Sequence, residues 1–466
     1  MPESRPRTYA PSPSANGALV GLALTMLLSS LGTSIANVAL PTLVQEFAAS
    51  FQAVQWVVLS YLLAVTTVVV SVGRLGDLVG RRRLMLLGIG VFTAASVACG
   101  VSTDLWLLVA ARALQGLGAA VMMALTMAMV GDTVAPERAG SAMGFLGTTS
   151  AIGTALGPSL GGLLIAAWGW QAIFLINLPL GLLAWWLARR LPADARATNR
   201  PAFDLRGSVL LAAMLASYAL AMTLGKGRPG ALNAMLLAIA IAVGAVFLRV
   251  QSTTSSPLVR PQLLKQGGIR TGVIMSCLTS AVAMTTLVVG PFYLTGALHL
   301  TPASAGLVMT TGPLAAALVG VPAGRGVDRF GVPRMLLAGL AAMAAGVVGL
   351  ALVPLSAGIP AYVAPLVVTT AGFAVFQAAN NTGVVGLADA SQRGVVSGLL
   401  TLSRNLGLIT GASVMAALYA FGSSTRDHAV PGASAVTAGA HAAFGAASVL
   451  IAAALMLALR QRRVSP

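Results

Sequence analysis

The sequence predicts an all-α polytopic membrane protein with about fourteen transmembrane helices, arranged as two six-helix bundles with an inserted helix pair between them. The first observation behind this prediction is composition: 57% of the 466 residues are hydrophobic and 8% are charged. A chain this apolar has too little polar surface to cover a water-soluble core, so lipid must solvate it. The second observation is a series of apolar runs of roughly 20 residues, the length of helix that crosses a membrane. The third is an internal repeat.

The apolar runs set the predicted spans. They place the helices at about 17–40, 51–72, 83–102, 105–130, 140–165, 171–190, 207–224, 231–249, 270–293, 303–323, 334–354, 360–383, 394–421 and 439–459. A cleaved signal peptide is the alternative for the first run. That run is longer than the apolar region of a signal peptide and follows a polar, Pro-rich segment, 1–16, so we expect it to be retained.

Charge follows the predicted topology. The formal net charge is +17, and threading the spans from a cytoplasmic N-terminus leaves only Lys226, Arg228 and Arg426 among the loop basic residues on the opposite side. This asymmetry obeys the positive-inside rule and predicts a multi-pass protein of a bacterial cytoplasmic (inner) membrane with both termini in the cytoplasm. No loop is long enough to form a basic nucleic-acid-binding face, so nucleic acid is excluded as a partner.

A repeated motif predicts the domain organisation. Residues 73–80 follow the second predicted span and residues 324–331 follow the tenth, and both segments read G-R-x-x-D-x-x-G. A repeat at matching positions indicates two fused bundles. We therefore predict a cytoplasmic tail at 1–16, a first six-helix bundle at 17–190, a linker with two inserted transmembrane helices at 191–269, a second bundle at 270–459 and a tail at 460–466.

Four motifs in order resemble those of the major facilitator superfamily, and within it the fourteen-helix drug:proton antiporter branch. They are the loop motif at 73–83, its echo at 324–334, a fourth-helix motif at 112–118 and a fifth-helix motif at 153–162. The resemblance covers essentially the whole chain. It implies the major facilitator fold and a secondary transporter that works as a monomer without a cofactor, exporting a small organic solute, drug-like or a metabolite, in exchange for protons.

The loop motifs place carboxylates beside arginines at helix ends. Asp77 lies near Arg81, and Asp328 lies beside Arg329. Such a cluster can act as a latch that stabilises one packing of the two halves and releases it when broken. The alternative is that these arginines only set topology.

Two further motifs lie inside predicted spans. Arg112 is roughly two turns into the fourth span, where a charge is costly and usually faces the bundle interior. The resemblance implies that Arg112 couples proton movement to conformational change; snorkelling to the interface is the alternative.

In the fifth span, Gly153, Gly157 and Gly161 share one face, and Pro158 and Gly162 complete the motif. This pattern favours a close contact between helices on which the two halves rock; close packing without a role in transport is the alternative.

Polar and aromatic residues within spans are the cavity candidates. Buried amides between helices often serve only as structural hydrogen-bonding groups, and single aromatic residues often only pack. A purely structural role is therefore the alternative for each candidate. The candidates are Asn37, Trp56, Tyr61, Gln115, Tyr293, Gln377, Asn380, Asn381, Arg404 and Asn405.

The positions of the acidic residues bear on the solute class and on the proton carrier. None of the 11 lies well inside a predicted span, and Gly32 stands where the family's first-helix motif usually has an aspartate. With Arg112 and Arg404 as the embedded charges, the cavity should be electropositive or neutral and favour a neutral or anionic solute. The proton carrier then stays open, with Asp77, Glu46 and His441 as candidates.

The function predicted from these patterns is proton-coupled efflux of a small organic solute. A facilitator or importer of a neutral or anionic metabolite with the same fold is the alternative. The sequence has no metal-ligand cluster, no HExxH, no GxSxG and no nucleotide-binding loop. We therefore expect neither an enzyme nor a metal site.

Overall fold

The fold was obtained as a computed structural model, which describes residues 13–133, 136–191, 204–224, 230–254, 257–258, 261–354, 357–388, 393–423 and 432–464. These residues form α-helices throughout, apart from short connections. The helices are α1 Pro13–Glu46, α2 Phe51–Val79, α3 Arg81–Gly100, α4 Leu105–Thr133, α5 Pro136–Trp168, α6 Ala172–Leu175, α7 Asn177–Ala188, α8 Leu205–Thr223, α9 Ala231–Thr253, α10 Gly267–Phe292, α11 Pro302–Phe330, α12 Val332–Leu352, α13 Gly358–Gly386, α14 Arg393–Thr410, α15 Ala416–Gly422 and α16 Ala433–Val464.

Several of these helices join into longer segments. α6 and α7 are separated by one residue, and π-helical turns at Tyr293–Ala297 and Gly411–Met415 extend α10 and connect α14 to α15. Grouped in this way, the α-helices of the described residues form fourteen segments, besides a short 3₁₀ helix at Pro261–Lys265, and each predicted span overlaps one of these fourteen. Most run past the predicted spans, as α16 does against 439–459, because the helical hydrogen bonds continue through polar residues that an apolar run does not count.

Eleven of the described helices are long and apolar enough to cross a membrane. Three shorter apolar helices accompany them: Ile152–Trp168, Ala172–Ala188 and Leu205–Ala221. The chain is therefore a multi-pass helical membrane protein, and the count of fourteen crossings stays a prediction.

The last glycine of each repeated motif makes a one-residue turn between two helices. Gly80 separates α2 from α3 with φ 103°, and Gly331 separates α11 from α12 with φ 83°. A side chain disfavours these backbone conformations, so each position requires glycine. This explains why both copies of the motif have glycine as their eighth residue, and it places both motifs at equivalent helix ends.

The two ends of the helix bundle differ in charge. We call the helix ends around 79–83, 188–191, 330–334 and 460–464 the arginine-rich end. The ends around 46–51, 100–105, 168–172, 297–302 and 352–358 contain no arginine and form the arginine-poor end.

One apolar core crosses both halves of the chain at the arginine-poor end. There the Phe51 ring packs edge-on against Phe292, with ring centroids 4.5 Å apart, and lies 5.1 Å from the Tyr419 ring. Two smaller apolar clusters each lie within one half, one with residues from 18–191 and the other with residues from 275–458. The halves are therefore sealed together at the arginine-poor end.

Helix pairs in the two halves cross through matched glycines. A Cβ on Gly118 of α4 would lie 2.7 Å from the Gly88 carbonyl oxygen of α3. In the second half, a Cβ on Gly372 of α13 would lie 2.8 Å from the Gly339 carbonyl oxygen of α12. Because only glycine permits these approaches, the close α3–α4 and α12–α13 crossings follow from the sequence.

α8 contacts helices from both halves of the chain. Its N-cap is Asp204, whose side chain accepts hydrogen bonds from the Gly207 N–H at 2.8 Å and from Gln251 Nε2 of α9 at 2.6 Å. Ser208 of α8 shares a 2.7 Å hydrogen bond with Ser71 of α2, and Tyr218 donates to Thr410 of α14 at 3.1 Å. α8 therefore lies along the seam between α2 and α14, whereas most of the hydrophobic surface of α9 is exposed for lipid.

Candidate functional site

Arg112 is fully buried inside the first half. Its guanidinium donates from Nε to the Val57 carbonyl oxygen of α2 at 2.9 Å, and from an Nη to the Gly32 carbonyl oxygen of α1 at 3.2 Å. A third hydrogen bond goes to Gln115, one turn further along α4. Gln115 in turn donates to Ser96 of α3 at 2.6 Å. Groups on α1, α2 and α4 thus bind the guanidinium, and α3 is linked to it through Gln115.

Two aromatic rings complete the surroundings of Arg112. The guanidinium carbon lies 4.2 Å from the centroid of the Tyr61 ring and 5.7 Å from that of Phe174 on α6, distances at which cation–π attraction operates. The Tyr61 hydroxyl donates to the Ser29 carbonyl oxygen at 2.9 Å. Arg112 therefore does not snorkel to an interface, and among the described residues its partners are carbonyls, an amide and aromatic faces, with no carboxylate.

Gly32 lies at the edge of this site. A Cβ on Gly32 would lie 3.1 Å from the Tyr61 hydroxyl and 3.4 Å from the Phe92 ring, while the Gly32 carbonyl already accepts from Arg112. A side chain at position 32 would therefore point at Tyr61 and lie close to the guanidinium. This is where the sequence lacks the carboxylate expected of the resemblance.

The glycines of α5 divide between two faces with different partners. Gly153, Gly157 and Gly161 pack on α1; a Cβ on Gly161 would lie 2.7 Å from Val38 Cγ1. Gly162 instead packs on α11, where a Cβ would overlap the Pro302 carbonyl oxygen and lie 3.2 Å from Gly306 Cα.

Pro158 lies on the same face of α5 as Gly162. A Cβ on Gly306 would overlap the Pro158 carbonyl oxygen. One face of the predicted motif therefore packs within the first half, and the other forms the contact between halves.

The structure describes only part of the two loop motifs. The side chain of Asp77 lies outside the described residues. Arg81 donates to the Ala128 carbonyl oxygen at 3.5 Å and Arg82 to that of Arg189. In the second half Asp328 and Arg329 are both exposed, and Arg329 lies over the Phe330 ring at 5.3 Å. Asp328 makes no ion pair with a described residue in this conformation.

A buried tyrosine pair occupies the second half near the arginine-poor end. The rings of Tyr293 and Tyr362 stack with centroids 5.5 Å apart, and neither hydroxyl has a hydrogen-bond partner among the described residues. Both side chains are buried. Tyr293 lies in the π-helical turn after α10, an irregularity that often accompanies functional sites.

The other predicted cavity residues are dispersed. Asn37 is buried and donates to the Thr33 and Ser34 carbonyls of its own helix at 3.1 and 3.2 Å. Arg404 is half-buried, and neither its Nε nor the Gln377 Oε1 has a partner among the described residues. The remaining four lie as follows: Trp56 is half-buried, Asn405 and Asn380 are buried, and Asn381 is exposed. No described hydrogen bond joins any of them to the Arg112 site.

Three residues of the clusters described above were not predicted from the sequence. Ser96, Phe174 and Tyr362 contribute to the clusters around Arg112 and Tyr293. Ser96 is a hydroxyl residue within an apolar run. Such residues usually donate to a carbonyl of their own helix, as Ser96 does to the Phe92 carbonyl at 2.7 Å, so the sequence gives only a weak indication of a site residue. Phe174 and Tyr362 carry no periodic signal.

Comparison with known proteins identifies the family. The family model of the Major Facilitator Superfamily matches residues 22–292 and 271–466. The chain belongs to this superfamily. It is therefore a transporter of small solutes across a membrane and not an enzyme.

Named relatives and a solved structure agree with this assignment. The riboflavin transporter RibZ of Clostridioides difficile is 30% identical over 406 residues, covering 86% of this chain and 88% of that protein. The multidrug resistance protein Stp of Mycobacterium tuberculosis is 30% identical over 414 residues, covering 86% and 75%. A bacterial homologue of the human lysosomal transporter Spinster, solved in an inward-facing and unoccupied conformation, has the same fold with TM-score 0.70 at 15% identity, covering 97% and 98%.

Proposed function

We propose that this transporter exports a small organic solute in exchange for protons, with fourteen crossings, as a monomer of the drug:proton antiporter branch. The observation that carries the proposal is the contact between the two halves at the arginine-poor end, where Phe51 packs against Phe292 and Tyr419 and α5 packs against α11. Two halves that close on each other at one end at a time expose a site between them to one side of the membrane at a time, which is alternating access. Export is supported by relatives such as Stp, a multidrug resistance protein.

Orientation follows from charge. By the positive-inside rule, the arginine-rich end with both termini faces the cytoplasm of a bacterial inner membrane. The conformation described here is then sealed towards the outside, which is the state in which an exporter loads its solute. The moving bodies are the bundles 17–190 and 270–459, linked by 191–269.

The roles we assign to residues follow their surroundings. Arg112 couples protonation to movement, because a buried guanidinium that is hydrogen-bonded to α1 and α2 and, through Gln115, to α3 responds to shifts between these helices. Asp77 with Arg81, and Asp328 with Arg329, latch the arginine-rich end in the opposite conformation. The Gly162 face of α5 is the contact on which the halves rock.

The solute class we propose is neutral or anionic. Arg112 and Arg404 are the charges within the spans, and among the carboxylates whose side chains are described only Asp204 is buried, where it caps α8. A cavity without a carboxylate offers cations no counter-charge. Asn37, Gln115, Gln377, Asn380, Asn381 and Asn405 are the amide candidates for the cavity, with Trp56, Tyr61 and Tyr293 as its aromatic walls.

Uncoupled movement of a metabolite is the second candidate function. It is favoured by the relative RibZ, whose name describes a riboflavin transporter, and by the absence of a described carboxylate beside Arg112. Either a facilitator or an importer could use the same fold.

Proton movement during transport separates the two functions. Proteoliposomes containing a pH-sensitive dye would receive a panel of neutral, anionic and cationic compounds that includes riboflavin. We expect neutral or anionic members to drive a proton flux opposite to their own movement, with the Arg249→Gln variant, altered at an exposed arginine of α9, as active as the wild type. Solute movement without proton flux would replace the antiporter with a facilitator, and a response to cations alone would contradict the proposed solute class.

Substitution of Gly32 tests the charge of the site. Gly32→Asp would place a carboxylate beside the Arg112 guanidinium and cancel its charge, so we expect the ratio of cation to anion transport to rise about tenfold, since one charge pair at such distances contributes a few kcal/mol. Gly32→Asn is the matched control, because asparagine meets the same atoms without a charge. Equal selectivity in the two variants would show that position 32 does not influence the solute.

A further inference from the structure

A cavity lies at the arginine-rich end of the second half, apart from the Arg112 site. Its volume is about 360 Å³, within the lower range of small-molecule sites. The ends of α10, α12, α13 and α16 form its walls, with Gly272, Val332, Gly386 and Gln461 among the lining residues. Gly386 leaves space here, since a Cβ at this position would meet no atom within 4 Å, whereas Gly272 packs directly against Val384.

A polar group inside this cavity has an unmade hydrogen bond. Asn380 is 1% exposed, and its Nδ2 donates to the Gly272 carbonyl oxygen at 3.1 Å, but its Oδ1 has no partner. Asn380 lines the cavity, whose other walls are largely apolar, including Met275 and Leu336. A buried amide oxygen without a donor is costly, so a ligand that brings a hydroxyl or ammonium group is favoured here.

The helix ends around this cavity are positively charged. Arg270, Arg334 and Arg460 are exposed, and each lies within one helical turn of a lining residue on α10, α12 and α16 respectively. Residues 267–272, 332–336, 380–388 and 458–464 include no carboxylate. The nearest carboxylates along the chain are Asp389, two positions after the lining residue Leu387 and outside the described residues, and Asp328 at the end of α11.

We propose that this cavity binds an anionic phospholipid from the adjacent leaflet. The phosphate lies against the three arginines, a headgroup hydroxyl donates to Asn380 Oδ1, and the apolar wall accommodates the upper part of an acyl chain. Basic pockets between transmembrane helices at the cytoplasmic surface recognise anionic headgroups by this combination. The bound lipid links α10 and α13 to α12 and α16, so it stabilises the second half.

Lipid binding to the purified full-length protein tests the proposal. Affinities for phosphatidylglycerol, phosphatidylmethanol and phosphatidylcholine would be measured by native mass spectrometry and by the shift in melting temperature. We expect phosphatidylglycerol to bind about tenfold more tightly than phosphatidylcholine, and more tightly than phosphatidylmethanol, which has the charge but no headgroup hydroxyl. Equal binding of phosphatidylglycerol and phosphatidylcholine would overturn the proposal.

Matched variants locate the site. Gly386→Leu fills the cavity, and because a Cβ there meets no atom within 4 Å it does so without a clash; we expect it to lower phosphatidylglycerol affinity about tenfold. Gly445→Leu is the control: its Cβ is equally free, and it lies on α16 about 24 Å from Gln461. Retained affinity in a folded Gly386→Leu protein would refute the site.

Two further variants separate the polar contributions. Asn380→Ala should abolish the preference for phosphatidylglycerol over phosphatidylmethanol, because only the former loses a hydrogen bond. The triple change Arg270→Gln, Arg334→Gln and Arg460→Gln should abolish the preference for anionic lipid while Gly445→Leu keeps it. An unchanged preference in the triple variant would contradict the role of the arginines.

Discussion

Replacing Gly162 by leucine should shift the transporter away from the conformation in which its arginine-poor end is sealed. A Cβ at this position would overlap the Pro302 carbonyl oxygen and lie 3.2 Å from Ala303 Cα and Gly306 Cα, so the new side chain wedges α5 from α11. Overpacking of this kind costs about 1–3 kcal/mol, enough to change a conformational ratio about tenfold. Because the wedge lies between the halves, rocking relieves it without unfolding either half.

Thiol accessibility measures this shift. A cysteine introduced at Ala297, which is 4% exposed, would be labelled in a protein carrying Cys99→Ala and Cys277→Ala, with reagent applied from the arginine-poor side. We expect Gly162→Leu to raise the labelling rate about tenfold.

The neighbouring glycine supplies the matched control. Gly161→Leu meets Val38 and Ile35 of α1, within the first half, and should lower the melting temperature without increased labelling. A loss of stability with unchanged labelling in Gly162→Leu would mean that this contact is packing alone.

Replacing Arg112 by glutamine should reduce solute-driven transport by about two orders of magnitude in a protein that still folds. Glutamine cannot reach Val57, Gly32 and Gln115 together, and the lost hydrogen bonds to a charged group contribute about 1.5–3 kcal/mol each. The variant also removes the positive charge that we propose couples the movement to protons. Flux in proteoliposomes and melting temperature would be measured on the same preparation.

Lysine and a remote arginine refine this prediction. Arg112→Lys keeps the charge but loses the planar donors and the stacking on Tyr61, so we expect transport to fall nearly as far. Arg249→Gln removes an exposed arginine and should leave flux unchanged. Transport retained in Arg112→Gln at normal stability would show that Arg112 only holds the first half together.

Composition and local spacing were sufficient for the fold class. Apolar runs predicted all fourteen helical segments, because a helix in lipid must satisfy its backbone hydrogen bonds internally and must be long enough to cross. The repeated loop motif indicated two fused bundles, and the structure explains why it ends in glycine, since Gly80 and Gly331 both have positive φ. Helix ends were less accurate, because hydropathy does not mark where helical hydrogen bonding stops.

The candidate site was only partly predictable. Arg112 and Gln115 were found because polar side chains within an apolar run are costly and therefore conspicuous. Their partners come from other helices and are brought together by packing: Gly32, Val57, Ser96 and Phe174. Gly32 and Val57 contribute only a backbone carbonyl, which cannot be recognised from the residue type.

The sequence by itself determined that this protein is a helical membrane protein with a repeated loop motif and a charge asymmetry, since these properties depend on composition, spacing and local backbone geometry. Only the tertiary structure decided which neighbouring helix each residue contacts. It divided the α5 glycines between α1 and α11, set α8 along the seam between α2 and α14, and buried Arg112 among aromatic rings and carbonyls. The physical reason is that helix rotation and packing between helices distant in sequence are fixed by all contacts of the bundle together, whereas length, hydropathy and turn preferences are fixed residue by residue.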